Sequence, residues 1–141
     1  MLKWKTQADN DSLYNTPPCY NIYMIKLVCE YLESIGGLDE MKKINKKKSG
    51  MLYDYLDSQD YYNAPVKKES RSMMNVTFVT GNEELDKKFA SDAAAAGLKN
   101  LKGHRSVGGM RASIYNAMPV SGVEKLIAFM RDFAERNPKN V

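Results

Sequence analysis

The sequence predicts an α+β fold: a two-layer domain with a small, mainly antiparallel sheet packed with helices that share one of its faces. Two observations lead there. The apolar period switches between helical and alternating along the chain, and the resulting order is helix, helix, strand, helix, strand, strand, helix. The 141 residues are the size of one domain, and 43% hydrophobic with 27% charged residues is a globular balance, not a disordered one.

Each element has its own signal. From Pro18 to about Ser34, the residues Ile22, Tyr23, Ile25, Val28, Cys29 and Leu32 recur at mixed helical spacings, after two prolines that suit a helix entrance. Apolar on most sides, this helix is expected to be buried or to lie in an interface. Cys19 and Cys29 match neither a CxxC pair nor a zinc spacing and read as small core residues. Gly36 and Gly37 end the helix. A second runs from about Leu38 to Asp57, with Leu38, Met41, Ile44, Met51, Leu52 and Tyr55 inward and its lysines outward.

The segment "SMMNVTFVT", Ser72 to Thr80, then alternates, placing Met74, Val76 and Phe78 on one face of a strand. A helix from about Glu83 to Ala96 follows, with Asn82 as N-cap, acids in its first turn and Gly97 just past its end. Leu98 to Lys102 reads as a short strand. Arg111 to Asn116 alternates again, with Arg111, Ser113 and Tyr115 on one side and Ala112 and Ile114 on the other. Ser121 and Glu124 have the spacing of a capping box for a last helix that turns Val123, Leu126, Ile127, Met130, Phe133 and Ala134 inward.

Charge narrows the function classes. The net charge is +4, and of the 21 basic residues 16 are lysine and five arginine. The lysines at 42, 43 and 46 to 48 read as a solvated helix face; a nucleic-acid binder using that face would need aromatics or a motif that the sequence lacks. No run of about 18 apolar residues and no cleavable signal is present, so no membrane role is expected and the cytoplasm is the default location.

Two of the few arginines lie in "KGHRSVGGMRASIYNA", Lys102 to Ala117, with the single histidine of the chain. A guanidinium grips carboxylate or phosphate through two parallel hydrogen bonds, which an ammonium does not do. Gly108 and Gly109 permit positive φ and close approach to the main chain. If the loop folds back, His104, Arg105 and Arg111 converge on an anion. The alternative is surface pairing of both arginines with Asp or Glu around an ordinary turn. In "ADNDSLYNTPPCY", Ala8 to Tyr20, Asn15 and Thr16 precede two prolines at a helix entrance; they either meet an anion there or simply cap the helix. No nucleophile, base and orienting acid, no metal cluster and no phosphate-loop consensus accompany them.

"DNDSLYNTPP" (Asp9 to Pro18), "RSMMNVTF" (Arg71 to Phe78) and "LKGHRSVGGMRASIYNA" (Leu101 to Ala117) together closely resemble the phosphoserine aminotransferase family, of the class V aminotransferase group. The resemblance implies the C-terminal small domain of a fold type I transferase that uses pyridoxal 5'-phosphate. It implies that Asn15 and Thr16 reach the cofactor phosphate of the other subunit of a homodimer, that His104 and Arg105 hold the substrate's phosphate or distal carboxylate, and that Arg111 clamps its α-carboxylate. The substrates implied are phosphoserine and 2-oxoglutarate or glutamate, in serine biosynthesis. Residues 1–18 would be the segment carrying the cofactor-phosphate loop and 19–141 the small domain. The large domain, with the lysine that forms the Schiff base, is expected ahead of Met1; none of the 16 lysines here matches its motif. The chain departs from the family at Cys19 and Tyr20, where Thr-Phe is common. The isolated chain is then expected to be inactive. A stand-alone module that binds a phosphorylated metabolite without chemistry is the competing reading.

Overall fold

The computed structural model describes residues 3–139. Its elements are α1 (Trp4–Ala8), α2 (Cys19–Ser34), α3 (Gly37–Asp57), a 3₁₀ turn (Lys68–Ser70), β1 (Asn75–Phe78), α4 (Glu83–Ala95), β2 (Met110–Ser113) and α5 (Val120–Arg136). The α+β expectation is met by these five helices and one two-stranded antiparallel sheet. Among the described residues, no helix is long and apolar enough to cross a membrane. Contacts divide the chain into two compact units, one ending at Asp39 and one from Glu40 on.

In the first unit no described residue is buried. Tyr20, Ile22, Tyr23, Ile25 and Val28 of α2 all face solvent, and so do Cys19 and Cys29. The core role expected for both cysteines is therefore wrong. An all-round apolar helix needs a partner surface.

The second unit is built around aromatic rings. Strand register pairs Asn75 with Ser113, Val76 with Ala112, Thr77 with Arg111 and Phe78 with Met110. Period-two alternation turns Val76, Phe78, Met110 and Ala112 inward, where they meet Phe89 of α4 and Val123, Met130 and Phe133 of α5. Phe89 is the hub, with ring centroids of Phe78, Tyr62, Phe129 and Phe133 at 5.6, 5.8, 5.3 and 5.0 Å, each in an edge-on arrangement. Isolated bridges extend the sheet on both flanks, Asn63 to Val79 and Lys102 to Met110.

Three local expectations are corrected. Leu98 to Lys102 contributes only that bridge at Lys102, because Asn100 takes a left-handed φ of 63° and breaks the extended run. The capping box at Ser121 does not form: Pro119 is the N-cap, with no side-chain cap bond, and Ser121 falls inside α5. The inward stripe of α3 is also rotated. Its buried residues are Met41, Asn45, Lys48, Ser49, Leu52 and Leu56, whereas Leu38 is exposed, so Lys48 does not belong to the solvated face.

A strap crosses from α3 to β1. Arg71 forks onto Asp57 with bonds of 2.8 and 2.7 Å and stacks on Tyr53 at 4.5 Å, while Lys68 reaches the same carboxylate at 3.2 Å. The bond from Arg71, with Lys68 beside it, holds the Asp57 carboxyl well below the usual carboxylate range. A folded-state pKa depressed in this way adds stability above the unfolded carboxylate value, near about 4, and that stability is lost as pH falls through the folded value. Asp57→Asn should therefore lower the melting temperature at neutral pH, where the ion pair is intact, and flatten its decline below about pH 4; an unchanged acid slope would contradict the assignment.

Candidate functional site

The stretch that holds the histidine folds into a closed loop. Upstream, α4 ends in a Schellman motif: Gly97, at φ 86°, donates its N–H to Ala94, and Leu98 donates to Ala93 at 2.8 Å. At the neck of the loop the Gly103 N–H donates to the Gly109 carbonyl at 2.8 Å, and the Arg111 N–H donates to Leu101 at 2.8 Å. Inside it the His104 carbonyl accepts from the N–H groups of Val107 (2.9 Å) and Gly108 (2.8 Å). Glycine is required at the neck. A Cβ on Gly103 would fall on the Gly108 carbonyl, and one on Gly109, whose φ is 64°, would come within 2.5 Å of Val79 Cγ1.

The loop and one face of α4 enclose a groove of about 1020 Å³. Lys102, His104 and Arg105 line one wall, and Asn82, Asp86 and Lys87 the other. Much of the α4 wall is already committed. The Asn82 side chain accepts from the N–H groups of Glu84 and Leu85, and Asp86 accepts from the Thr80 N–H (2.8 Å) and hydroxyl (2.7 Å). Lys87 pairs with Glu84 at 2.7 Å, which raises its pKa above the ordinary lysine value. The loop wall is different, because His104 and Arg105 are exposed and Arg105 has no bonded partner among the described residues.

His104 is oriented by its own turn. Ser106 sets its hydroxyl 2.7 Å from Nδ1 and points its backbone N–H at the same atom at 3.3 Å. Both contacts are satisfied when Nδ1 accepts, an arrangement that puts the ring N–H on Nε2 and leaves it free to donate to a ligand.

Arg111 does not line the groove; it stands beyond Gly109 on the outer face of the sheet, half-buried, across from Thr77. The Ile114 N–H donates to Met74 at 2.8 Å, so the Thr77–Arg111 pair sits at a position without inter-strand hydrogen bonds, where opposed side chains lie closest. Its Nε is buried without a hydrogen-bond partner. The arginines thus divide. Arg71 forks onto Asp57, Arg136 onto Asp132, and Arg131 stacks over Tyr55 at 5.3 Å, whereas Arg105 and Arg111 have no carboxylate among the described residues. Surface pairing, the alternative open in the sequence, is absent for these two.

Asn15 and Thr16 lie in the first unit, both exposed, just ahead of α2. The N-cap of α2 is Pro18, with no side-chain cap bond, and the Thr16 hydroxyl has no hydrogen-bond partner among the described residues. The wall supplied by α4 and the cation at Lys102 were missed in the sequence. Lys102 carried the signal, since it lies next to buried Leu101 at the start of the glycine-rich stretch.

Comparison with known proteins gives these features a family. The model of the class-V aminotransferases matches residues 1–126. Phosphoserine aminotransferase of Streptococcus suis is 62% identical over 138 residues, 97% of this chain, and that of Listeria monocytogenes is 55% identical over 134 residues. Among solved structures, phosphoserine aminotransferase from Bacillus circulans subsp. alkalophilus superposes with a TM-score of 0.90 at 46% identity, over 96% of this chain and 38% of that one. The pyridoxal-phosphate-bound enzyme from Trichomonas vaginalis gives 0.83 at 36% identity, over 91% and 37%. The chain spans 38% of the length of the Streptococcus suis protein. With the family model covering residues 1–126 and likenesses in sequence and shape that run over nearly all of it, the chain belongs to the class-V aminotransferase family.

Proposed function

We propose that the chain is the C-terminal, substrate-holding part of a phosphoserine aminotransferase. Such an enzyme moves the amino group between O-phospho-L-serine and 2-oxoglutarate, giving 3-phosphohydroxypyruvate and glutamate, in cytoplasmic serine biosynthesis. The observation that carries this is the division of the arginines: Arg105 and Arg111 alone lack an internal partner among the described residues, and both lie in the glycine-rich stretch.

A substrate with a phosphate at one end and a carboxylate at the other needs a cation at each. Arg105 offers a fork and His104 an Nε2 donor to the phosphate or distal carboxylate, and Arg111 offers a fork to the α-carboxylate. Fixing both ends sets the direction of the Cα–H bond, which is where orientation lowers the barrier. Pyridoxal phosphate supplies the electron sink when bound. The residues present fit its phosphate to the extent that Thr16 keeps an exposed hydroxyl unspent on the helix start, with Asn15 next to it. The reading extends to a homodimer in which these two serve the other subunit; the bare apolar surface of α2 is consistent with an assembly. No lysine of the chain is assigned a catalytic role, and the 141-residue polypeptide alone, given pyridoxal phosphate, should show no turnover.

The test is kinetic. In the protein that carries these residues, Arg105→Gln should lower kcat/KM for phosphoserine about 10- to 100-fold, the worth of a charge-assisted bond, through KM more than kcat. Failure of the parent protein to transfer the amino group from phosphoserine to 2-oxoglutarate would sink the reading.

A further inference from the structure

Lys48 is the least expected side chain of the core. It is 0% exposed, in the middle of α3, and its bonds go to main-chain carbonyls rather than to a carboxylate. Nζ donates to Ile114 at 3.2 Å, Tyr115 at 2.8 Å and Met118 at 2.9 Å. An ammonium has three N–H groups and a neutral amine two, so this acceptor set fits the charged form. Burial pushes the pKa of Lys48 below its ordinary value, and an apolar side chain of similar volume would fill the place without burying a charge. Packing alone therefore does not account for a lysine here.

The three carbonyls belong to one stretch, the exit of β2. One turn earlier on the same helix face, Asn45 donates to the Asn116 side chain at 2.8 Å, and the Tyr115 hydroxyl donates to Asn75 at 3.1 Å. The Ile114 N–H is tied to Met74, and the other end of β2 is tied through the Gly103–Gly109 neck and the Arg111 N–H. Arg111 thus sits on a four-residue strand fastened at both ends, and at the exit the fastening is Lys48.

We propose that Lys48 is a positioning residue: by gathering the carbonyls of Ile114, Tyr115 and Met118 it fixes the exit of β2, and with it the direction in which Arg111 presents its guanidinium to a substrate carboxylate. The inference rests on the reading of Arg111 given above. It adds a residue on a different element, distant in sequence, that touches no substrate.

A double-mutant cycle tests it in the protein that carries these residues. Lys48→Met should lower kcat/KM about tenfold, mainly through KM, because small misplacements of a clamping group cost this much or more. In the Arg111→Gln background the same change should have no further effect, since there is no guanidinium left to aim. Leu52→Ala, on the same helix and equally buried, serves as the control for lost stability and should leave KM unchanged. Amide exchange at Arg111 and Ile114 should quicken in Lys48→Met and not in Leu52→Ala. Equal losses in both backgrounds, no loss in either, or the same KM rise in Leu52→Ala would overturn the proposal. If Arg111→Gln is itself silent, the substrate-clamp reading fails instead. Should Lys48→Met not fold, Lys48→Gln, which keeps two donors, replaces it with the same outcomes and a smaller loss.

Discussion

In the proposed phosphoserine aminotransferase, Arg111→Gln should cost about 10²- to 10³-fold in kcat/KM while leaving the melting temperature where it was. The kinetic loss is that of a bidentate, charge-assisted clamp, roughly 3–4 kcal/mol at about 1.4 kcal/mol per decade. The thermal silence follows from the structure, because Arg111 has no carboxylate to orphan and its Nε already lacks a partner. Both amino donors of the proposed reaction, phosphoserine and glutamate, carry an α-carboxylate, so both half-reactions should suffer alike. Arg105→Gln should instead discriminate between them, because the groups at their distal ends differ in charge and shape. Arg111→Lys should restore little, since a point charge does not reproduce the fork. Steady-state kinetics with each donor, alongside thermal melts, read both halves of this expectation. A variant that keeps its KM but melts early would make Arg111 a structural residue and remove it from the site.

The largest stability effect should come from the aromatic core. Phe89→Ala removes the ring at the centre of the aromatic cluster, which is 0% exposed and in edge contact with four others. Truncating such a residue costs about 3–5 kcal/mol, a large share of a domain stability of about 5–15 kcal/mol. Denaturant titration should show the midpoint falling by that share with the slope unchanged. A loss below about 1 kcal/mol would mean that the cluster repacks freely around the gap. The consequence for the site is direct, because α4 supplies one wall of the groove and Phe89 is what anchors α4 to the sheet.

How much of this was legible depended on how local the cause was. α4 was read nearly residue for residue, since Asn82, the acids of the first turn and Gly97 are all local signals and all act as expected. The alternation around Val76 and Ala112 was legible for the same reason. The face of α3 was not. Asn45 and Lys48 look like surface residues until Asn116 and the carbonyls at 114 to 118 arrive from some seventy positions away, and no local pattern announces that partner. Ser121 misled because a proline two residues earlier took over the start of α5. At the site, the glycines and arginines of the loop could be read directly, whereas the groove could not, because its second wall comes from a helix about twenty residues upstream.

The neck between Gly103 and Gly109 sets when the loop loses its freedom. The residues it encloses are ordered as the chain folds rather than when a ligand arrives. Capture of an anion at the proposed site then needs no slow closing step of this loop, and the rate of encounter is governed by diffusion and by the pull of Lys102 and Arg105 on a negatively charged visitor. Dissolved salt, by screening that pull, slows arrival more than it speeds departure.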